Sequence, residues 1–124
     1  MFTYQIIRHN QMVMVQTAGD LDFFSCPDLE QRLTREVAPG STVAFHLGNL
    51  EFIDSSGIGF LLRMNTLAES RKARFCVVNP KRIIAAIFLR YQLRDTLRVQ
   101  HVQDSFRNII PFPPLCHEQI CQAS

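Results

Sequence analysis

Apolar and polar residues alternate near the start of the chain, which is the pattern of half-buried β-strands. The alternation predicts two strands, Thr3–Arg8 and Met12–Ala18, joined by a short polar turn. In the second strand Val13 and Val15 share one face, and the residues between them lie on the other. Residues 19–22 interrupt the pattern, so we expect the second strand to end before them.

The period then changes to that of a helix. Ser25 stands at the N-cap position and Pro27 falls in the first turn, where its missing amide hydrogen has no intrahelical acceptor. A narrow apolar stripe follows, formed by Leu29, Leu33 and Val37. We therefore expect a short amphipathic helix that ends before the Pro-Gly pair at residues 39–40.

The middle of the chain predicts a strand and a longer helix. Thr42–Leu47 alternates, and after a break at residues 48–51 the pair Phe52-Ile53 leads to Asp54. From Ser56 to about Arg71 the apolar residues occupy a wide arc at helical spacing. A wide arc is typical of a helix that is buried on more than one side.

Another strand and helix follow. Phe75–Val78 is short and apolar, and Asn79-Pro80 has the sequence of a helix start, with Asn79 as the cap. Spacing places four residues on the buried side of this third helix: Ile83, Ile84, Ile87 and Tyr91. Leu97–Val102 is expected to be a last strand, and Asp104 is expected to cap a short helix that ends near Asn108.

These elements predict the α/β class, with a small mixed β-sheet and about four helices packed mainly on one face. The N-terminal strand pair is expected to be antiparallel, and the later crossovers parallel and right-handed. The proline-rich run that begins at Pro111 ends regular structure. We therefore divide the chain into one domain, residues 1–110, and a C-terminal tail, residues 111–124.

Composition agrees with a single soluble domain. The 124 residues are 47% hydrophobic and 19% charged, and no apolar run approaches the ~20 residues of a membrane span. With no basic-then-apolar start that would indicate a signal peptide, we expect a cytoplasmic protein without membrane insertion. In that compartment reduced thiols are expected for the four cysteines, Cys26, Cys76, Cys116 and Cys121.

Charge is unevenly distributed. Residues 1–62 carry three basic and seven acidic side chains, whereas residues 63–124 carry ten basic and four acidic ones. A basic half favours nucleic acid in principle, but these residues are spread over three predicted elements without interleaved aromatic residues. We expect them to form solvated helix faces, with no direct nucleic-acid binding. The acidic half is suited to a basic partner surface.

The turn from Asp54 to Gly57 is the strongest candidate for chemistry. It lies between a strand and a helix, where free amides and the helix dipole favour an anion such as a phosphate. Two interpretations remain open from the residues alone: an ordinary helix cap, or a phosphorylation switch.

Features of an enzyme or a metalloprotein are weak in the sequence. The turn does not match a nucleophile elbow, no histidine is a convincing base, and a phosphate-binding loop with its lysine is missing. Cys116, His117 and Cys121 supply three soft ligands without a nearby fourth, so we predict no metal site and no cofactor.

The segment Leu50–Leu61 resembles the signature of the STAS domain, the family of bacterial anti-sigma-factor antagonists. Residues 19–29 resemble a second block of that family, and residues 77–93 resemble a third. The resemblance covers about residues 3–108. It implies a STAS-like fold and a protein that is not an enzyme.

The resemblance also implies a mechanism. Ser55 is the residue that a serine-kinase anti-sigma factor phosphorylates; the unphosphorylated antagonist binds and sequesters that kinase, and a serine phosphatase resets the switch. The docking surface carried over from the family consists of Asp22, Asp54, Ser56, Gly57, Ile58 and Gly59. An alternative is an accessory STAS subunit of a membrane lipid transporter that acts by contact alone. The oligomeric state stays open.

Two positions depart from the family pattern. His46 occupies a strand position where the family often has Asp or Asn, and it is expected to be either an ordinary strand residue or a modulator of phosphate charge near the turn. Gln92 replaces a common glycine, which leaves the turn after the third helix in question.

Overall fold

The computed structural model describes residues 1–102 and 120–122. Within these ranges nine elements follow one another along the chain: β1 (Phe2–His9), β2 (Met12–Leu21), α1 (Cys26–Glu36), β3 (Thr42–Ile53), α2 (Ser55–Ser70), β4 (Arg74–Val78), α3 (Arg82–Arg90), β5 (Val99–Gln100) and β6 (Ile120–Gln122). None of the helices described combines the length and apolarity that crossing a membrane requires.

Strands β1 and β2 form the predicted antiparallel pair, in register from Phe2 opposite Gly19 to His9 opposite Met12. The prediction that β2 stops at residue 18 is wrong, because β2 continues to Leu21. Gly19 permits this: its φ is +93°, and a Cβ there would lie 1.8 Å from the Met1 carbonyl oxygen. The strand therefore bends past the N-terminus and keeps pairing.

Strands β3, β4 and β5 continue the sheet from β2 in parallel, as predicted, and the full sheet order is β5-β4-β3-β2-β1-β6. Strand β3 is continuous from Thr42 to Ile53, so the predicted break at residues 48–51 is absent. Register shifts in β2, between Gln16 and Ala18 and again after Gly19, let the two long strands stay paired to their ends. Strand β5 covers only Val99–Gln100, less than the predicted Leu97–Val102.

Strand β6 lies at one edge of the sheet, where its backbone pairs antiparallel with β1 over Thr3–Gln5. Regular structure therefore resumes after the proline-rich run, which the apolar pattern of the tail did not predict. The division at residue 110 and the predicted helix from Asp104 to Asn108 fall on residues outside those described, so both stay predictions.

All three described helices contribute their buried residues to one core, on one face of the sheet, which confirms the predicted layering. The apolar stripe of α1 is buried as expected. Helix α2 buries both Phe60 and Asn65, in agreement with the wide apolar arc. The largest fully buried side chains of this core include Phe45, Phe60, Phe75, Phe88, Leu29, Leu33 and Leu61.

Helix α3 departs from its prediction at the start. It begins at Arg82, and Asn79 is not its cap: with φ at +55°, Asn79 binds the Val102 backbone through both atoms of its amide, at 2.6 and 2.7 Å. The buried side consists of Ile84 and Phe88, whereas Ile83 and Tyr91 are 67% and 60% exposed. Ile87 is half-buried and packs against the core, so the prediction holds for Ile84 and in part for Ile87.

Gln92 resolves the question about the turn after α3. It adopts a left-handed conformation with φ at +58°. Its amide donates to the Leu89 carbonyl at 3.1 Å, and the Leu93 amide donates to the Phe88 carbonyl at 2.8 Å. This is the double hydrogen bond of a glycine-type helix end. The turn is therefore kept, although a side chain replaces the usual glycine.

Candidate functional site

The candidate site is built where β2 and β3 end. Because the strands are parallel and Leu21 pairs with Ile53, the residues that follow them, Asp22 and Asp54, emerge at the same edge of the sheet. The Asp54 amide donates to the Leu21 carbonyl at 3.3 Å and ties the two loops together. The segment Leu50–Leu61 and the block of residues 19–29, which both resemble the STAS family, thus meet at this edge.

Asp54 caps helix α2, as one of the two interpretations of the turn predicted. Its backbone is extended, and its Oδ1 accepts a hydrogen bond from the Gly57 amide at 2.9 Å. The helix begins at Ser55, one residue earlier than expected. Among the described residues no acceptor meets the amides of Ser55 and Ser56, so the positive end of the helix dipole faces outward there.

Ser55 and Ser56 differ in accessibility. Ser55 is exposed, and its hydroxyl has no hydrogen-bond partner in the described part of the chain. Ser56 is half-buried, and its carbonyl oxygen accepts a weak hydrogen bond from the Cys26 thiol at 3.7 Å. Of the two hydroxyl-bearing residues, Ser55 is the one that an enzyme can reach directly.

Gly57, Ile58 and Gly59 have unequal roles. Gly57 is buried, and a Cβ there would lie 2.5 Å from the Leu21 carbonyl oxygen, so the close contact between the loops requires glycine. At Gly59 the nearest atom would be Arg63 Nη1 at 3.6 Å, an ordinary contact. Ile58 is half-buried and packs against the core. Sequence alone did not separate the two glycines.

Asp22 organises the loop beside the turn. Its Oδ1 accepts hydrogen bonds from the amides of Phe24, at 3.0 Å, and Ser25, at 3.2 Å. The side chain of Ser25 makes no cap bond to α1; instead its Oγ accepts from the Asp22 amide and contacts the Asp20 carbonyl, at 2.9 and 3.1 Å. Ser25 therefore occupies the predicted N-cap position, but its side chain holds the loop and not the helix amides.

The clamped loop displays two aromatic side chains that the sequence prediction missed. Phe23 and Phe24 are 66% and 87% exposed, and their rings stack edge to face with centroids 5.5 Å apart. Exposed phenylalanine is unusual because burial of its ring is strongly favourable. The available signal was two consecutive aromatic residues in a segment without strand or helix period.

A cleft of about 590 Å³ opens beside Ser55, between the start of α2 and the end of α3. Its walls are mostly apolar, from Ile53, Ile58, Leu62, Ile87, Tyr91 and Leu93. Asp54, Ser55 and Arg90 contribute the polar groups. Arg90 and Tyr91 were not predicted to be near the turn, because only the tertiary fold brings the end of α3 to the start of α2.

The two loops carry acidic side chains, and the cleft beside them contributes one basic residue, Arg90. Neither Asp22 nor Asp54 forms an ion pair with a described residue. Burial, assisted by both carboxylates, raises the pKa of the Cys26 thiol to about 11, and the nearby Arg63 only partly opposes this. Cys26 is consequently a protonated, packed thiol at neutral pH and unsuited to act as a nucleophile.

His46 lies far from the turn. It shares the helix-free face of β3 with Ala44, and seven strand residues, a span of about 25 Å along the strand, lie between it and Asp54. Its Nδ1 accepts a hydrogen bond from the Gly48 amide at 3.2 Å, and burial lowers its pKa. His46 is a neutral strand residue, and the alternative of a charge modulator beside the phosphate is wrong.

No cluster of three metal-ligating side chains occurs within the described ranges. Cys26 and Cys76 are free thiols. The predicted weak ligand set around Cys116 and His117 lies outside the residues whose side chains are described.

Comparison with known proteins agrees with this architecture. The sequence model of the STAS domain matches residues 3–108. The anti-sigma factor antagonist SpoIIAA in its unphosphorylated form superposes with a TM-score of 0.71 at 18% identity, covering 86% of this chain and 95% of that one. An anti-sigma factor antagonist from Mycobacterium paratuberculosis gives a TM-score of 0.70 at 20% identity, covering 89% of this chain and 94% of that one.

The Bacillus cell fate determinant SpoIIAA in its phosphorylated form gives a TM-score of 0.68 at 17% identity, covering 86% of this chain and 96% of that one. No curated protein sequence matches significantly. At identities this low, the likeness to solved structures is one of fold.

Proposed function

We propose that this chain, which belongs to the STAS domain family, is an anti-sigma-factor antagonist controlled by phosphorylation of Ser55. In its unphosphorylated form it binds and sequesters a serine-kinase anti-sigma factor in the cytoplasm. Phosphorylated chain releases that kinase, and a serine phosphatase restores the binding form. The chain is the substrate of both enzymes, and its own residues supply a surface.

One observation carries the proposal. Ser55 is exposed, its hydroxyl is unpartnered among the described residues, and it begins a helix at the edge where Asp22 and Asp54 meet. A kinase can approach such a hydroxyl without unfolding the turn. The helix start also tolerates the product, because the free amides and the dipole favour negative charge.

The covalent step adds the γ-phosphoryl group of ATP to Ser55 Oγ. The bond to the ADP leaving group breaks, and the hydroxyl proton passes to a base of the kinase. The product carries about 1.5 to 2 negative charges at neutral pH, next to Asp54. A partner surface shaped for a neutral hydroxyl then meets a dense anionic group.

The energy required for release is modest. Placing a charge in a close, desolvated interface costs several kcal/mol when no counter-charge is provided. A loss of about 2.7 kcal/mol weakens binding roughly a hundredfold. Phosphorylation therefore changes the affinity by enough to move the partner, while Ser56 and Ile58 keep their half-buried positions.

The docking residues divide into two kinds. Asp22, Asp54 and Gly57 shape the two loops through hydrogen bonds and close packing. Ser56, Ile58 and Gly59 complete the surface around Ser55. Substitution of the first kind is expected to alter the loops themselves, whereas substitution of the second kind alters contact with the partner.

The test uses the full chain, ATP and the serine kinase encoded nearest to it in its genome, with the product mapped by mass spectrometry. Wild type and Ser56→Ala are expected to gain one phosphate on Ser55, and Ser55→Ala is expected to gain none. Labelling of Ser55→Ala to the wild-type level would overturn the proposal. So would copurification with a transport ATPase in cells that contain no Ser55 phosphopeptide.

A further inference from the structure

The cleft between α2 and α3 places one cation in the same depression as Ser55. Arg90 is the last residue of α3, and it lines this cleft together with Ser55 and Asp54. The other lining residues have apolar side chains, except for the exposed Tyr91. An anion attached to Ser55 would therefore find Arg90 as the cation of its own cleft.

The Arg90 side chain is not engaged by other described residues. It forms no ion pair or side-chain hydrogen bond with any described residue. Two other basic side chains are already paired: Arg63 holds Glu30 and Lys81 holds Glu51. Arg94 lines a separate cleft of about 310 Å³ that does not include Ser55.

We propose that Arg90 pairs with the phosphate on Ser55 and holds it in the α2–α3 cleft. The inference rests on the proposed function, because it concerns the phosphorylated state of the same residue. A guanidinium group binds two phosphate oxygens at once, and such pairs are strong for their size. The long, exposed arginine side chain at the end of a short helix can follow the phosphate.

The pairing would have two consequences for the switch. It ties the end of α3 to the start of α2, so the phosphorylated chain presents a closed cleft where the unphosphorylated chain presents an open one. It also occupies phosphate oxygens that a phosphatase must reach. The specific phosphatase then has to displace Arg90, and nonspecific removal of the phosphate is slowed.

The experiment introduces phosphoserine at position 55 during synthesis of the full chain through an expanded genetic code. The second ionisation of the phosphate is followed by ³¹P NMR between pH 4 and 8. Its pKa in wild type is expected to be lower than in Arg90→Gln by at least about half a unit, because a nearby cation favours the dianion. At 1 M NaCl the difference is expected to shrink.

Arg94→Gln is the matched control, since it removes one exposed arginine from the neighbouring cleft and is expected to leave the phosphate pKa at the wild-type value. Arg90→Lys keeps the charge but loses the paired contact, so an intermediate pKa is expected. It also keeps the question answerable if Arg90→Gln folds poorly. Treatment with a nonspecific phosphatase is expected to remove the phosphate several-fold faster from Arg90→Gln.

Equal phosphate pKa values in wild type, Arg90→Gln and Arg90→Lys would overturn the pairing. Because the phosphoserine is installed without a kinase, this outcome is independent of the labelling experiment above. Failure of a kinase to modify Ser55 would overturn the proposed function and leave the ³¹P result intact.

Discussion

Gly57 lies where the Leu21 carbonyl oxygen crosses the first turn of α2. A Cβ there would lie 2.5 Å from that oxygen and 2.7 Å from Ile53 Cγ1. Backbone cannot retreat as a flexible side chain does, so an added methyl group must push the β2 and β3 loops apart. Glycine at this residue is required by contact between loops rather than by its backbone angles.

We expect Gly57→Ala to lower the free energy of unfolding by roughly 1–3 kcal/mol, the usual cost of overpacking. Gly59→Ala is the matched control two residues along the same helix, where alanine meets only an ordinary contact. Because alanine favours helix over glycine, this control is expected to stabilise by about 0.5–1 kcal/mol. Urea unfolding measures both, and equal effects of the two substitutions would contradict the contact argument.

At the scale of elements, a paired set of charges joins α1 to α2. Arg63 donates to both carboxylate oxygens of Glu30, at 2.8 and 2.6 Å. This hydrogen bonding holds the pKa of the Glu30 carboxyl below its ordinary value. The side chain of Glu30 is 29% exposed and that of Arg63 is 53% exposed. Solvent therefore screens the pair, and its contribution to stability is small.

The pair makes stability depend on pH with a defined sign. A carboxyl whose pKa is lower in the folded state than in the unfolded state stabilises the folded protein at pH values above its ordinary pKa. This stabilisation is lost as the pH falls through the folded-state pKa. A double-mutant cycle of Glu30→Gln and Arg63→Gln is expected to give a coupling energy of about 0.5–1 kcal/mol at pH 7. The coupling is expected to shrink as the pH falls through the lowered pKa of the Glu30 carboxyl; a coupling that stays unchanged down to the lowest pH at which the protein folds would refute the assignment.

Helix α3 illustrates how an element acquires its role. Its apolar residues outnumber the places available against the sheet, so Ile84 and Phe88 are buried while Ile83 and Leu89 remain 67% and 64% exposed. Its helical period was visible in the sequence. Which part of its surface meets the sheet depended on the strand before it and on α2 beside it.

At the scale of the whole molecule, some basic side chains of the second half form hydrogen bonds within the fold, although the sequence predicted that they lie on solvated helix faces. Arg71 donates to the Thr34 carbonyl and, at 3.1 Å, to the Val37 carbonyl at the end of α1. Arg98 contacts Asn65 at 3.3 Å. These contacts hold two cationic groups within the fold, whereas Arg90 lines the cleft beside Ser55.

The exposed aromatic pair belongs to the same acidic edge of the molecule. Phe24, at 87% exposure, is expected to enter an apolar pocket of a basic partner surface. Phe24→Ser is expected to weaken binding of the unphosphorylated chain to its kinase about tenfold, or about 1.4 kcal/mol, without lowering the melting temperature.

Isothermal titration calorimetry measures the affinity. Ile83→Ser is the control, because Ile83 is 67% exposed on α3 and outside the Ser55 cleft. Wild-type affinity in Phe24→Ser, or an equal loss in Ile83→Ser, would remove Phe24 from the interface.

The sequence by itself determined the local patterns of the chain: the strand pair at the start, the alternation of strands and helices, and a turn at Asp54–Gly57 suited to a helix cap. Those features are local, because backbone preferences and caps act within a few residues. The STAS resemblance extended the prediction to the docking loops, and the structure brings Asp22 and Asp54 to one edge.

Tertiary structure decided what depends on distant contacts. It made β2 and β3 longer than their patterns, because paired strands support each other through register shifts. It made Asn79 a clamp on the distant Val102 backbone instead of the expected helix cap. It also placed Arg90 beside Ser55, a proximity that arises only because the fold brings the end of α3 to the start of α2.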